Sequence, residues 1–279
     1  MNIGAAVFVT EYTMAPQQLG PALEERGFES LWVPEHSHIP KRRKGIEPGG
    51  PDLPPEYWHA FEPFLTLAAA AATTRRLRLG TGVCLVAQRD PIHTAKAVAT
   101  LDTLSQGRVL FGIGAGWNAE EMSAHGTDYR TRWRRLKESV AAMKAIWTQD
   151  EAEFHGEFCR FEPMLAFPKP VQKPHPPVLL GAHGDRSLDR VVDYCDGWMP
   201  LHFLEAEHLP ERIEALKNKA RAAGRDPEEL TVSVIMAPAA PDTLKRLEEL
   251  GAARVVLQLP SAGSDTVLPL LDRYAEMIR

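Results

Sequence analysis

The sequence predicts a single (β/α)8 barrel, an α/β TIM barrel over residues 1–279 with insertions after strands two and four. Three observations lead there. β-rich runs alternate with amphipathic helical segments from end to end, there are eight such runs, and no low-complexity stretch divides the 279 residues. Barrels of this kind occupy about 250 residues as one domain. Each parallel strand needs a crossover helix to return to the same edge of the sheet, which is why strand and helix must alternate. A doubly wound open sheet is the alternative fold for the same alternation.

The strand candidates, in order, are residues 3–9, 30–34, 77–86, 109–113, 178–180, 197–201, 230–236 and 255–259. Each is short and rich in Val, Ile, Leu or Phe, as strands buried on both faces should be. Between the first two lies PQQLGPALEERG, a helix that Gly27 is placed to cap at its C-terminal end. After strand four, RTRWRRLKESVAAMKAIW sets Trp133, Leu136, Val140, Met143 and Trp147 at helical spacing. Two segments break the alternation. Residues 37–58 read as a Pro- and Gly-rich loop, and residues 151–175 as a small hairpin with a proline-rich return. Long loops in a compact domain are commonly functional, so both are expected to wall a substrate pocket.

Composition narrows the function. With 44% hydrophobic residues, 25% charged residues and a net charge of −5, the chain can bury a large core and lacks the basic excess of a nucleic-acid binder. The run Lys41-Arg42-Arg43-Lys44 is the local exception, either a solvated loop tip or a contact for an anionic ligand. Cys84, Cys159 and Cys195 form no CxxC pair, which suits a reducing compartment, and cytoplasm is the expectation. MNIGAAVFVT reads as a strand and not as a signal peptide, and no window is long and apolar enough to span a membrane.

The segment LFGIGAGWN at 110–118 looks like a dinucleotide fingerprint but fails it, since the third glycine would fall where Trp117 stands. It also lies on the fourth strand and not the first. In a barrel, chemistry collects where strands end in C-terminal loops. Those ends carry Glu35, His36 and His38 after strand two, His183 after strand five and His202 after strand six. Such a set could hold a metal in a hydrolase or isomerase barrel, but strands one and four add no comparable ligands, so no metal site is assigned. Glycines give a different signal. Thr81-Gly82-Val83, Gly114-Ala115-Gly116 and Gly181-Ala182-His183-Gly184 end three successive strands, where missing side chains leave room for a flat ring across the mouth. Tight turns are the plainer explanation of any one of them. The helix start at DRSLDRVVDYC, with Asp185 or Ser187 as N-cap and Arg186 alongside, would suit a phosphate.

ESLWVPEH, RLRLGTGV, RDPIHTAKAVATLDTLSQGRVLFGIGAGW, EFHGEF with KPVQKPHPPVLLGAHG, and DGW together resemble the bacterial-luciferase-like family. Within it the chain is similar to oxidoreductases that use the deazaflavin coenzyme F420. FMN-using monooxygenases share the same barrel and stay open as the alternative. The resemblance implies hydride transfer to or from a small organic substrate, a homodimer, and a non-proline cis peptide under the coenzyme ring, matched here by Gly82-Val83. It assigns Thr81 to Val83, Gly114 to Gly116 and Gly181 to Gly184 to the coenzyme. In sugar-phosphate dehydrogenases of the family an Asp-His pair and a Glu after strand four serve the reaction. Here the pair becomes Glu35-His36, and Trp117 stands at the Glu position, which puts that substrate in doubt. His36 is the first choice for proton transfer because imidazole titrates near neutrality, with Glu35 orienting it or acting itself. Trp117 walls the substrate side or simply packs between strand and helix, His38 and His202 are further pocket residues, and Lys41–Lys44 would meet the coenzyme's anionic tail. A coenzyme carrier without turnover fits the same motifs.

Overall fold

In a computed structural model, which describes residues 1–43 and 52–278, eight parallel strands close into a barrel. They are β1 (Asn2–Ala6), β2 (Ser30–Val33), β3 (Arg78–Thr81) and β4 (Val109–Ile113), then β7 (Val178–Leu180), β8 (Gly197–Trp198), β9 (Thr231–Ala237) and β10 (Arg254–Gln258). The two strands numbered between, β5 (Glu151–His155) and β6 (Arg160–Leu165), form a separate antiparallel hairpin. The helices are α1 (Pro16–Glu25), α2 (Glu56–His59), α3 (Pro63–Ala71), α4 (Pro91–Leu104), α5 (Ala119–Ala124) and α6 (Arg132–Thr148) in the first half. In the second half they are α7 (Ser187–Tyr194), α8 (His202–Glu205), α9 (Leu209–Ala222), α10 (Pro241–Glu249) and α11 (Ser264–Ile278). β1 pairs with β10 on one side and β2 on the other, which closes the ring. Among the described residues no helix is long and apolar enough to cross a membrane.

Alternation along each strand sorts the side chains into two cores. Outward residues such as Leu31, Val33, Leu79 and Phe111 pack under the helices in the larger core. Inside the barrel, Ala6, Trp32, Leu110, Leu179, Met199 and Val256 form a smaller one. Trp32 fills the centre, and Gly80 is required beside it because a Cβ there would meet the indole at 2.3 Å. Below it the floor is polar and paired, with Arg254 bonded to Glu29 at 2.5 and 2.7 Å and the Trp32 Nε1–H donating to Ser30 Oγ at 2.8 Å. Trp32 and this floor thus plug one end of the barrel.

α6 buries Leu136, Val140, Met143 and Trp147 as its spacing predicts. Gly27 has φ +84 at the end of α1, the left-handed geometry a glycine cap supplies. Strand three is shorter than its apolar run suggests. It stops at Thr81, the Gly82-Val83 peptide is cis, and a 3-10 turn follows at Val86–Gln88. β1 likewise ends at Ala6, before residues 7–9, and β8 at Trp198, before 199–201.

The second insertion does not wall the pocket. The β5–β6 hairpin begins where α6 ends and runs along the outside of that helix, where the Glu138 carboxylate accepts the backbone N–H groups of Glu157 (2.9 Å), Phe158 (2.6 Å) and Cys159 (2.5 Å). A crossover helix returns the chain to the far side of the barrel before this insertion starts, so the hairpin braces α6 and stays out of the mouth. The first insertion does reach the mouth, through Tyr57.

Candidate functional site

A cavity of about 610 Å³ occupies the barrel mouth, within the usual size of a small-molecule site. Its floor is built on Val83. Cys84 N–H donates to Gly112 O at 2.8 Å and Gly114 N–H to Cys84 O at 2.9 Å, so the strand resumes pairing just past the cis bond while Val83 bulges from it. A Cβ on Gly114 would meet Val83 Cγ2 at 2.5 Å, and one on Gly181 would meet Val83 Cγ1 at 2.6 Å. These two glycines therefore make room for the valine methyls. The expectation that they clear space directly for a ring is corrected: Val83 fills the space and is itself the raised floor. Gly112 likewise clears Thr81 O and Met199. Thr81 is buried and does not line this cavity, and its hydroxyl donates to Gly112 O at 2.6 Å. Gly116, Ala115, Ala182, His183 and Gly184 do line it.

His36 stands at one end. Its Nδ1 lies 2.8 Å from Glu121 Oε2, with both side chains almost fully buried. The same carboxylate accepts Ser37 N–H at 3.0 Å, Gln88 Nε2 at 3.0 Å and Ser37 Oγ at 3.3 Å. Backbone and amide N–H donors converging on Oε1, with the imidazole at Oε2, suit an ionised Glu121. Burial pushes Glu121 up, but the hydrogen bond and charge of His36, with Gln88 and Ser37, outweigh it and hold the group below its usual range. An acceptor-only partner puts the proton of neutral His36 on Nδ1, leaving Nε2 as the nitrogen that can exchange one in the cavity.

Glu35 has a different part. Its carboxylate accepts Leu85 N–H at 2.7 Å and Arg89 Nε at 2.6 Å, and Arg89 reaches Glu62 at 2.6 Å. It ties the segment after Val83 to β2 and makes no bond to His36. The expectation that Glu35 orients His36 is corrected: the partner is Glu121, which nothing beside His36 along the chain points to. Its one signal was Asn118, whose side chain caps α5 by accepting Glu121 N–H at 3.2 Å. A Glu three residues after an N-cap commonly turns back on the cap. Here it turns to His36.

Trp117 sits edge-on to His36 at 5.6 Å, Tyr57 lies 5.3 Å from it, and Phe8 stacks on Tyr57 at 4.6 Å. His38 and His202 do not line the cavity. His38 is bonded to Ser37 Oγ at 2.9 Å beside His125, and His202 opens α8. Glu35, His36, His38, His183 and His202 thus do not converge, and no group of three or more potential ligands gathers among the described residues.

Cations gather at the other end. Arg132 stacks over Tyr129 at 3.7 Å and Arg190 over Trp133 at 4.0 Å, and Arg186 lines the same cavity from the start of α7. Burial, together with the neighbouring Arg186 and Arg132, holds Arg190 below the usual arginine range. Arg132 Nε is buried without a partner. Three guanidiniums, with the exposed Asp185 in the same lining and Asp189 acting on Arg190, suit an anionic group. The cap of α7 is Arg186, neither Asp185 nor Ser187, since Ser187 Oγ donates to Gly184 O at 2.7 Å. Lys41, Arg42 and Arg43 do not line the cavity, and Lys44 lies outside the described residues.

The model of the luciferase-like monooxygenase family matches residues 16–269. The chain belongs to this family. An uncharacterised protein of Mycobacterium tuberculosis is 39% identical over 279 residues, covering 99% of this chain and 98% of its own. The F420-dependent hydroxymycolic acid dehydrogenase of the same organism is 30% identical over 75% of this chain and 54% of its own. An FMNH2-dependent dimethylsulfone monooxygenase of Pseudomonas putida is 32% identical over 56% and 43%. The chain thus spans about half the length of these two. Among solved structures, a monooxygenase from Streptomyces bottropensis superposes with a TM-score of 0.79 at 22% identity, covering 100% and 98%. The F420-dependent tetrahydromethanopterin reductase of Methanopyrus kandleri gives 0.72 at 17%, covering 99% and 96%. Structural likeness at these identities shows the shared barrel alone. The relatives of this luciferase-like chain thus include both F420-dependent and FMNH2-dependent enzymes.

Proposed function

We propose that this luciferase-like protein is an F420-dependent oxidoreductase that interconverts an alcohol and a carbonyl on a small organic substrate. The observation that carries the reading is the His36–Glu121 pair, which opens onto the same cavity as the Val83 floor. Val83 and the backbone of Gly114–Gly116 and Gly181–Gly184 would support the coenzyme's ring system, and Arg132, Arg186 and Arg190 its anionic tail. When bound, the deazaflavin supplies a carbon that gives or accepts a hydride. His36 Nε2 takes the substrate hydroxyl proton in oxidation and returns it in reduction, with Glu121 fixing the ring and its tautomer. Tyr57, Trp117 and Phe8 exclude water from the reacting end.

FMN-dependent monooxygenation is the second reading, supported by the monooxygenase of Pseudomonas putida among the relatives. Parallel fluorescence titrations of the purified protein with oxidised F420 and with FMN test the choice. Saturable and tighter binding of F420 is expected. Preference for FMN, followed by oxygen uptake with reduced FMN, would transfer the protein to the second reading.

A further inference from the structure

The two ends of the cavity differ in charge, and the difference restricts what can react there. At the His36 end the fixed charges are Glu121, 1% exposed, and Glu35, 7% exposed. Arg89 is the cation bonded to Glu35, and it is shared with Glu62, so that cluster carries two carboxylates for one guanidinium. The arginines lining the cavity group instead with Tyr129, just before α6, with Trp133 on α6, and around the start of α7. An anion beside a neutral His36 would face the Glu121 carboxylate behind the ring in a poorly solvated site, which is costly. A cation gains little, because Glu121 already accepts four donors and Glu35 is held by Leu85 N–H and Arg89. The remaining surface is aromatic: Phe8, Tyr57 and Trp117 around the imidazole.

We propose that the substrate is an uncharged molecule with a flat apolar or aromatic body and a single oxygen at the reacting carbon, and that carboxylates and phosphate esters are excluded from the His36 end. This rests on the functional reading above. Selectivity then comes from two features, ring contacts that favour a flat apolar body and buried carboxylates that reject its anionic analogues.

The test is isothermal titration of three probes sharing one ring system, 2-acetylnaphthalene, 2-naphthoate and (2-naphthylmethyl)trimethylammonium, into the protein alone and into the protein saturated with the coenzyme it prefers. The ketone is expected to bind at least about tenfold tighter than either ion, as a desolvated like charge implies. Trp117→Leu should weaken the ketone about fivefold or more through lost aromatic contact, leaving coenzyme affinity unchanged. Trp117→Arg, with its fold checked by circular dichroism, should raise naphthoate affinity. A carboxylate that binds within tenfold of the ketone, a cation that binds tightest, or no binding of the ketone at millimolar concentration would each overturn the proposal. If Trp117→Arg does not fold, the three probes on the wild-type protein decide alone. Failure of F420 and FMN to bind while the ketone preference persists would remove the functional reading and leave this one standing.

Discussion

Glu121→Gln preserves shape and removes charge, so its consequence can be worked from the hydrogen bonds. Three donors, Ser37 N–H, Ser37 Oγ–H and Gln88 Nε2–H, converge on Oε1, and one, from His36 Nδ1, on Oε2. A glutamine keeps its carbonyl oxygen toward the three. Its NH2 then faces His36 Nδ1 across 2.8 Å, where two donors cannot meet. The neutral imidazole must move its proton to Nε2, which turns the cavity-facing nitrogen from acceptor to donor. Trading a charge-assisted bond for a neutral one costs about 1–2 kcal/mol of stability. Loss of the correct tautomer should slow alcohol oxidation by about 10²–10⁴-fold, and carbonyl reduction less. The assay that needs no substrate is nitrogen NMR of histidine-labelled protein: wild type should show His36 protonated at Nδ1, the variant at Nε2. Nδ1 unprotonated in the neutral wild type, or alcohol oxidation at full rate in the variant, would refute the reasoning.

Other perturbations test other parts. Gly114→Ala should destabilise by about 1–3 kcal/mol and weaken coenzyme binding, because its Cβ would meet Val83 Cγ2 at 2.5 Å. Adding Val83→Ala should recover part of the loss, and purely additive melting temperatures would show that the valine is not the obstacle. Glu35→Gln should lower stability by about 2 kcal/mol, a melting shift of roughly 4–8 °C, with little change in the pH profile of turnover. A displaced profile would restore Glu35 to the chemistry. Arg132→Ala with Arg190→Ala should weaken coenzyme binding in a manner that fades with added salt, read by fluorescence titration. Glu121 and Glu29 both lie below their usual range when folded, against the upward push of burial, Glu29 through Arg254. Their contribution is complete above pH about 4.5 and is lost as pH falls through the folded values, so Glu29→Gln should flatten the acid limb of thermal stability.

Some of this was legible along the chain. The run RLRLGTGVCLV reads as one long strand, and only the family resemblance, through the cis Gly82-Val83 bond that the structure contains, pointed to a break at Val83. Its place depends on Gly114 and Gly181, which belong to other strands. Glu35 and His36 are neighbours in the loop after β2, yet the carboxylate goes to Arg89 and the imidazole to Glu121. The hairpin at 151–165 was recognisable as a hairpin but not as a brace, because its contact, Glu138, lies earlier in α6. Arg186 was legible beside the start of α7, but Arg132 and Arg190 were not, because one begins α6 and the other lies within α7.

The amino-acid sequence by itself determined the barrel, its open end and the elements that meet there, because strand and helix periodicities are local and a parallel barrel puts every strand-end loop on one side. Only the tertiary structure decided which groups act together. Glu121 becomes the partner of His36, Val83 becomes the floor, and positive charge separates from negative across the cavity. Each of these depends on side chains that closure of the barrel brings within a few ångströms, at separations along the chain that no local pattern encodes.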